Sequence, residues 1–443
     1  MVGESGKECI VAETDVATRN LYFTSNLDRE RILQQFKDVR QQSERLCAPL
    51  ETEDYVVQSM EDASPTRWHL AHTTWFFETF VLSRTVSNYR SPHPQYAYLF
   101  NSYYVAAGDR YPRPQRGLIT RPTVEDVYRY RSYVDRQMEE MIRGADDELF
   151  SSLLPVIEIG NHHEQQHQEL ILTDIKHALS FNPLFPLYRE RKEMRSLDKV
   201  TMNWPGWEGG LVEIGHSGKG FCYDNELPRH KVFLQPFHLS SRLVTNGEYL
   251  RFMEDGGYER QTLWLSDGWN ERQRRNWTAP LYWQKVDGEW HAFTLNGFRK
   301  IVDEEPVTHV SFYEADAYAR WAGARLPREE EWEHAAADQP LEGNFVEQES
   351  FHPVPASSSS GPISQIFGDV WEWTASPYVG YPGYAPPIGV LGEYNGKFMA
   401  NQMVLRGGSC ATPLSHIRST YRNFFYPTAR WQFTGIRLAR DSY

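Results

Sequence analysis

The stretch Asn161-His162-His163-Glu164-Gln165-Gln166-His167-Gln168-Glu169 carries two histidines, His163 and His167, four residues apart. In a helix, positions i and i+4 share one face about one turn apart. The pair can therefore offer two imidazole nitrogens to one metal ion. The residues around it predict a helix from about Pro155 to Leu179. A third imidazole stands far upstream: His72, inside the apolar and aromatic run from Trp68 to Leu82. Three such ligands leave the other coordination positions open for substrates and oxygen. Imidazole suits iron, zinc, copper and nickel, so the ligand type does not name the metal. A polar, solvated helix face rich in His and Gln is the alternative at this point.

Working outward, the first part of the chain reads as a four-helix bundle, an architecture that often holds metals between facing helices. Asp28 to Leu46 places Ile32, Phe36, Val39 and Leu46 on one stripe. Ser64-Pro65 predicts a helix start, with a capping hydroxyl and then proline at the first helical position. Pro122-Thr123 opens a third helix, with Val124, Val127, Val134 and Met138 as its buried stripe. The connection from Asn88 to Pro122 is long and proline-rich, and loops of that length are usually functional. It holds Tyr103-Tyr104 and the arginines Arg110, Arg113, Arg116 and Arg121. From Phe181 to Trp204 the chain reads as a linker, with a charged run from Arg189 to Arg195. Beyond Gly209 the texture changes to Gly, Trp, Tyr and Asn. Strand-like runs lie at Gly210 to Ile214 and Lys231 to Leu234, helix-like ones at Thr245 to Met253 and Ser311 to Ala322, and a Ser-rich loop at Ala356 to Gly361. The expected division is a tail over 1–27, the bundle over 28–182, a linker over 183–204 and a second domain over 205–443.

Composition narrows the function. The 443 residues carry a formal net charge of -13, with no basic stripe, which argues against a nucleic-acid partner. The N-terminus, Met1 to Thr14, is polar and charged and lacks the apolar core of a signal peptide, and no apolar run is long enough to span a bilayer. The four cysteines, Cys9, Cys47, Cys222 and Cys410, form no Cys-x-x-Cys pair. That argues against a disulfide framework or a structural zinc. The expectation is a soluble, cytoplasmic protein with reduced thiols and no membrane partner; its oligomeric state is not legible.

The second domain resembles the formylglycine-generating enzyme (sulfatase-modifying factor) family. The matching segments are Glu226-Leu227-Pro228-Arg229-His230, Leu243-Val244-Thr245-Asn246, Pro306-Val307, Arg325-Leu326-Pro327 with Trp332-Glu333, Gly368-Asp369-Val370-Trp371-Glu372-Trp373, Arg406-Gly407-Gly408-Ser409 and Thr434-Gly435-Ile436-Arg437-Leu438-Ala439. The resemblance implies a C-type-lectin-like α+β fold. The family's copper-binding cysteine pair is not matched, since Cys410 has no second cysteine after it. The domain is thus expected to be a scaffold and substrate wall. The bundle resembles DinB-type proteins through Trp68-His69-Leu70-Ala71-His72-Thr73-Thr74-Trp75-Phe76-Phe77-Glu78 and His163-Glu164-Gln165-Gln166-His167-Gln168-Glu169. The fusion of the two, a multidomain α and α+β chain, is similar to the ergothioneine sulfoxide synthase family.

That resemblance implies Fe(2+) held by His72, His163 and His167, with His69 and His162 as competitors. The implied reaction joins the sulfur of a cysteine-type thiol to the imidazole C2 of hercynine (Nα-trimethylhistidine), consuming O2 and giving a sulfoxide. A neutral phenol can supply a proton at pH 7. Tyr103 and Tyr104 are the candidates for it, and Tyr378, Tyr381 and Tyr384 are rivals, because one branch takes its tyrosine from a C-terminal loop. Gln166 and Asn423 match residues that hold hercynine, and Phe424 could face the trimethylammonium group. Arg113 and Arg116 share the spacing of the family's thiol-binding arginines. The motif Asn-Trp-Asp-Tyr-Pro of the γ-glutamylcysteine branch reads Asn423-Phe424-Phe425-Tyr426-Pro427 here. Phe425 removes the carboxylate that pairs with the thiol substrate's amine, so free cysteine is the expected thiol, with Arg430 or Arg113 on its carboxylate. Other readings are an ovothiol-type synthase, which usually carries a further methyltransferase domain where this chain ends at Tyr443, a thiol-dependent DinB-type transferase, and a non-enzymatic lectin-like binding module.

Overall fold

The computed structural model describes residues 29–190, 200–357, 361–387, 392 and 394–442. The expected tail over 1–27, Cys9, most of the charged run ending at Arg195 and the serines at the centre of the Ala356 to Gly361 loop lie outside the described residues.

Four long helices form the bundle: α1 (Arg29–Cys47), α2 (Thr66–Phe77), α3 (Val124–Gly144) and α4 (Asp147–Ser180). Helix α1 buries Ile32, Phe36, Val39 and Leu46, the predicted stripe, together with Leu33. Every residue of α2 is buried, as expected of a helix apolar on all sides. It runs on as a π-helical turn, Glu78–Leu82, whose Glu78 accepts hydrogen bonds from Tyr89 and Tyr130. The start of α2 differs from expectation. The Ser64 hydroxyl does not cap it but accepts from Arg116 Nη1 at 2.8 Å. Helix α3 opens on a capping box in which Thr123 and Asp126 exchange backbone bonds.

Helix α4 begins at Asp147, not near Pro155, and Pro155 lies inside it. The Asp146 side chain caps the Leu149 N–H at 2.8 Å, and Phe150, Leu153, Leu154 and Ile157 are buried on the bundle side. That packing outweighs the local cost of an internal proline. Helices α2 and α4 approach closely at Gly160, where a Cβ would meet Phe77 Cε1 at 2.6 Å. A larger residue there would clash with the Phe76 and Phe77 rings.

One charged cluster locks the bundle around the histidine helix. Glu164 accepts from Arg40 Nη1 at 2.7 Å, from Ser43 Oγ at 2.6 Å and from Arg131. Burial pushes the Glu164 carboxyl up, but the Arg131 and Arg40 guanidinium groups outweigh it and hold it at about 2. Removing one partner from such a cluster strands a buried charge.

The second domain is α+β. It contains a sheet in the order β10 (Asn423–Phe425), β9 (Met403–Arg406), β8 (Trp371–Pro377) and β11 (Thr434–Gly435). Strand β9 is antiparallel to both β8 and β10, and β11 runs parallel to β8. Around it lie a sheet of β1 (Gly206–Trp207), β4 (Phe237–Leu239) and β12 (Ala439–Asp441), the pair β2 (Gly210–Ile214) and β3 (His230–Leu234), and the meander β5 (Trp283–Val286), β6 (Glu289–Thr294) and β7 (Gly297–Lys300). Helices α5 (Asn246–Glu254), α6 (Ser266–Arg274), α7 (Phe312–Trp321) and α8 (Glu329–Ala336) complete it. Several motif residues are structural. Arg406 pairs with Glu329 and Glu333, Arg437 with Glu372, and Trp332 donates to Glu372, all buried. Cys410 is a free, buried thiol whose pKa burial pushes up.

The two domains meet along α4. Glu169 accepts from Trp371 Nε1 at 2.8 Å, Ser409 Oγ at 2.5 Å and Thr412 Oγ1 at 2.8 Å, so two motifs of the second domain dock on one carboxylate of the bundle. Further along, Lys176 is buried against Tyr282 and Phe433 and donates to His309 Nε2 at 2.7 Å. Burial pulls the Lys176 amine down to about 7; the Cys410 thiol opposes this and Arg299 adds to it. Between that value and the ordinary lysine value of 10.5, the unfolded chain keeps a proton that the folded chain has released. Stability therefore rises with pH across this window. The unfolding free energy of the wild type minus that of Lys176→Met is expected to rise by up to about 1.4 kcal/mol per pH unit there. Urea titrations at several pH values check this, and a difference independent of pH would refute it.

Candidate metal centre

His72 on α2 and His163 and His167 on α4 come together at the bundle centre. One ligand nitrogen from each lies within 4.8 Å of the others, and all three residues are buried. His72 Nε2 and His163 Nε2 are 3.2 Å apart. Two nitrogens each about 2.1 Å from one ion and at right angles would lie about 3 Å apart, so the spacing fits shared ligation. Burial pulls the pKa of His72 and His167 well below the ordinary range and that of His163 to about 3. The imidazoles are thus neutral, the form that ligates.

The surroundings orient each ring. His72 lies between Trp68 and Trp75, with ring centroids at 4.5 and 5.5 Å. Its Nδ1–H donates to the Phe100 carbonyl at 2.5 Å, which leaves the Nε2 lone pair facing His163. His163 Nδ1 is buried and has no partner among the described residues. His167 Nδ1 is 2.8 Å from His69 Nδ1, and His69 Nε2 is 3.0 Å from Asp174 Oδ2. His69 therefore stands behind His167, outside the three-residue cluster. His162 turns to the second domain, stacking on Phe221 and meeting His416 Nδ1 at 2.9 Å. The donor set fits a divalent metal of the imidazole-preferring kind.

Tyr103 and Tyr104 stack on each other at 4.5 Å, with hydroxyls 3.3 Å apart. The Tyr104 ring lies 6.5 Å from that of His163 and also packs on Trp75 and Phe80. Tyr378 accepts from Asn225, Tyr381 from Arg406, and Tyr384 donates to Asp224, all partners within the second domain. A tyrosine the sequence reading missed stands closer. The Tyr394 ring is 5.8 Å from His163, and its hydroxyl donates to Gln166 Oε1. Gln166 Nε2 in turn donates to Tyr421 at 2.8 Å. No periodic pattern marks Tyr394 or Tyr421; they arrive from loops. Asp174 did carry a signal, since it lies seven residues after His167 on the same helical face.

Of the remaining candidates, Phe424, Phe425, Arg113 and Arg430 line one cavity of about 450 Å³ between the domains, with Asp62, Trp277 and Trp431. Phe424 stacks on Tyr378 at 4.0 Å. Arg430 is paired with Glu314 at 2.8 Å. Arg116 is apart from this cavity wall: it is buried, its guanidinium carbon lies 3.3 Å from the Trp68 ring centroid, and its Nε has no partner. Asn423 is half-buried on β10, its side-chain oxygen accepting from the Phe424 N–H at 2.9 Å.

The fold and this cluster define a metal-site protein class in which a helical bundle supplies three imidazoles and an α+β domain covers them. Residues 35–171 match the DinB superfamily, and residues 206–361 and 347–442 match the sulfatase-modifying factor enzyme 1-like domain. The hercynine oxygenase of Mycobacterium tuberculosis is 39% identical over 304 residues, 63% of this chain and 70% of that protein. The hercynine oxygenase of Mycolicibacterium thermoresistibile is 29% identical over 93% of this chain and 95% of its own. The structure of PvdO from Pseudomonas aeruginosa matches 54% of the chain with a TM-score of 0.39 and 19% identity. The chain belongs to the hercynine oxygenase family.

Proposed function

We propose that this protein is an iron(II)- and O2-dependent sulfoxide synthase that bonds hercynine C2 to the sulfur of cysteine. The observation that carries the reading is the trio of buried imidazoles on a chain of this family, with the Tyr394 and Tyr104 rings 5.8 and 6.5 Å from that of His163. When bound, iron(II) would give thiol, imidazole and oxygen a common centre. His72, His163 and His167 would hold it.

The protein's own residues do the rest. The Gln166 amide, oriented by Tyr394 and Tyr421, meets the hercynine imidazole. Asn423 takes its carboxylate, and the Phe424 ring faces its trimethylammonium group. Arg113 binds the thiol's carboxylate in the cavity that Arg430 also lines. Tyr103 or Tyr104 donates a phenolic proton, which directs oxygen toward coupling and away from simple thiol oxidation. Holding both substrates in reach replaces a difficult encounter in solution. Among the described residues no helix is long and apolar enough to cross a membrane. A cytoplasmic setting is part of the proposal, and it agrees with the free thiols Cys47, Cys222 and Cys410.

The test is product mass after anaerobic loading with iron(II), then addition of hercynine, cysteine and O2. The coupled sulfoxide is expected; its absence, with thiol oxidation alone, would overturn the reading. Tyr103→Phe or Tyr104→Phe is expected to lower sulfoxide formation about 10²–10⁴-fold, the range for losing a general acid, while total O2 uptake falls less. If both variants keep the wild-type product ratio, the proton comes from elsewhere, with Tyr394 next in line by position.

A further inference from the structure

We infer that Asp174 and His69 are positioning residues that set the tautomer of His167 and thereby its readiness to bind a metal. The inference deepens the proposed function and rests on its reading of His167 as a ligand.

The Asp174 carboxylate can only accept, and its Oδ2 takes both the Ser64 N–H at 2.8 Å and His69 Nε2 at 3.0 Å. His69 Nε2 therefore carries the proton of that ring. The inferred chain takes His69 in its neutral form, which has one N–H, so its Nδ1 is an acceptor. It lies 2.8 Å from His167 Nδ1, which must then be the donor. His167 is left with its lone pair on Nε2, the nitrogen that remains for the cluster with His72 and His163. Both nitrogens of His69 are used in this way, which removes it as a ligand.

The usual outer-shell partner of a metal-bound histidine is a carboxylate or a carbonyl in direct contact. Here an imidazole is inserted between the two, and it sits on the other ligand helix. The chain starts on α4 at Asp174, crosses to α2 at His69 and returns to α4 at His167. Asp174 also binds Ser64, just before α2 begins. The same atoms thus fix a proton position and tie together the two helices that carry the imidazoles. Burial of His69, His167 and Asp174 keeps water from supplying a substitute donor or acceptor.

The experiment measures cobalt(II) binding to the full-length protein without oxygen or substrates, with the d–d absorption band as a second readout and apo-protein thermal unfolding as a fold control. His69→Phe and Asp174→Ala each break the chain and are expected to weaken binding about 10–100-fold and to alter the band. His69→Gln keeps a carbonyl oxygen for His167 and an N–H for Asp174, so it should restore affinity to within about threefold of wild type, well inside the loss expected of a broken chain. Wild-type affinity in both disrupting variants, or a Gln variant as weak as the Phe variant, would overturn the inference. Should His69→Phe fail to fold, Asp174→Ala against Asp174→Asn decides, because only Asn keeps an acceptor oxygen. His167→Ala stands apart: wild-type affinity there would sink the ligand reading itself.

Discussion

The His163→Ala variant is expected to bind iron(II) more than about 100-fold more weakly than the wild type, beyond the 10–100-fold typical of losing an outer-shell partner. Coupling should fall to background. Three imidazoles converge within 4.8 Å, and removing one leaves a two-nitrogen site. His163 is the sharpest of the three to test. Its Nδ1 has no partner among the described residues, so its loss removes only the Nε2 contact with His72, whereas His72 and His167 are also bonded to Phe100 and His69. The effect on folding should therefore stay near the cost of a small cavity, about 1–3 kcal/mol. Metal content after anaerobic reconstitution, with apo-protein unfolding alongside, separates the two effects. Full coupling in this variant would remove His163 from the ligand set.

A comparable effect is expected on the choice of thiol. Phe425 lines the 450 Å³ cavity beside Arg113 and Arg430, and its ring packs edge-on against Trp431 at 5.7 Å. At position 425, where the resemblance implies a carboxylate for the substrate's ammonium group, the wall carries a phenyl ring. Stripping one partner from a buried ion pair costs about 3–5 kcal/mol. The kcat/KM for cysteine is therefore expected to exceed that for γ-glutamylcysteine by at least about 100-fold, the lower end of that penalty. Phe425→Asp should narrow the gap by restoring the charge. Measured kcat/KM for both thiols decides the matter; a wild-type preference for γ-glutamylcysteine would overturn this account of Phe425.

Much of the fold was legible because its signals are local. The stripe of α1, the opening of α3 at Thr123, the burial of Val127, Val134 and Met138 (Val124 is only half-buried) and the strand at Gly210–Ile214 follow from signals that act within a few positions. The start of α4 was not legible. Pro155 is a valid local start signal, but the burial of Phe150, Leu153 and Leu154 is a property of the packed bundle. The absent Ser64 cap has the same origin, since Arg116 reaches that hydroxyl from a separate loop.

By itself, the sequence determined that two imidazoles share one face of a helix, that a third lies on an aromatic helix, and that a lectin-like domain follows. Helical spacing is set by backbone geometry, so His163 and His167 are neighbours in any tertiary context. Only the tertiary structure decided which of His69 and His72 enters the cluster, because both sit on a helix buried on every side and burial cannot tell its faces apart. It also decided that Tyr394, 228 residues from Gln166, closes over the site, that Arg430 is tied to Glu314, and that Arg113 and Arg116 part company. Loop side chains have no period to read. Their directions are set by what they pack against, and that is known only once both domains are in place.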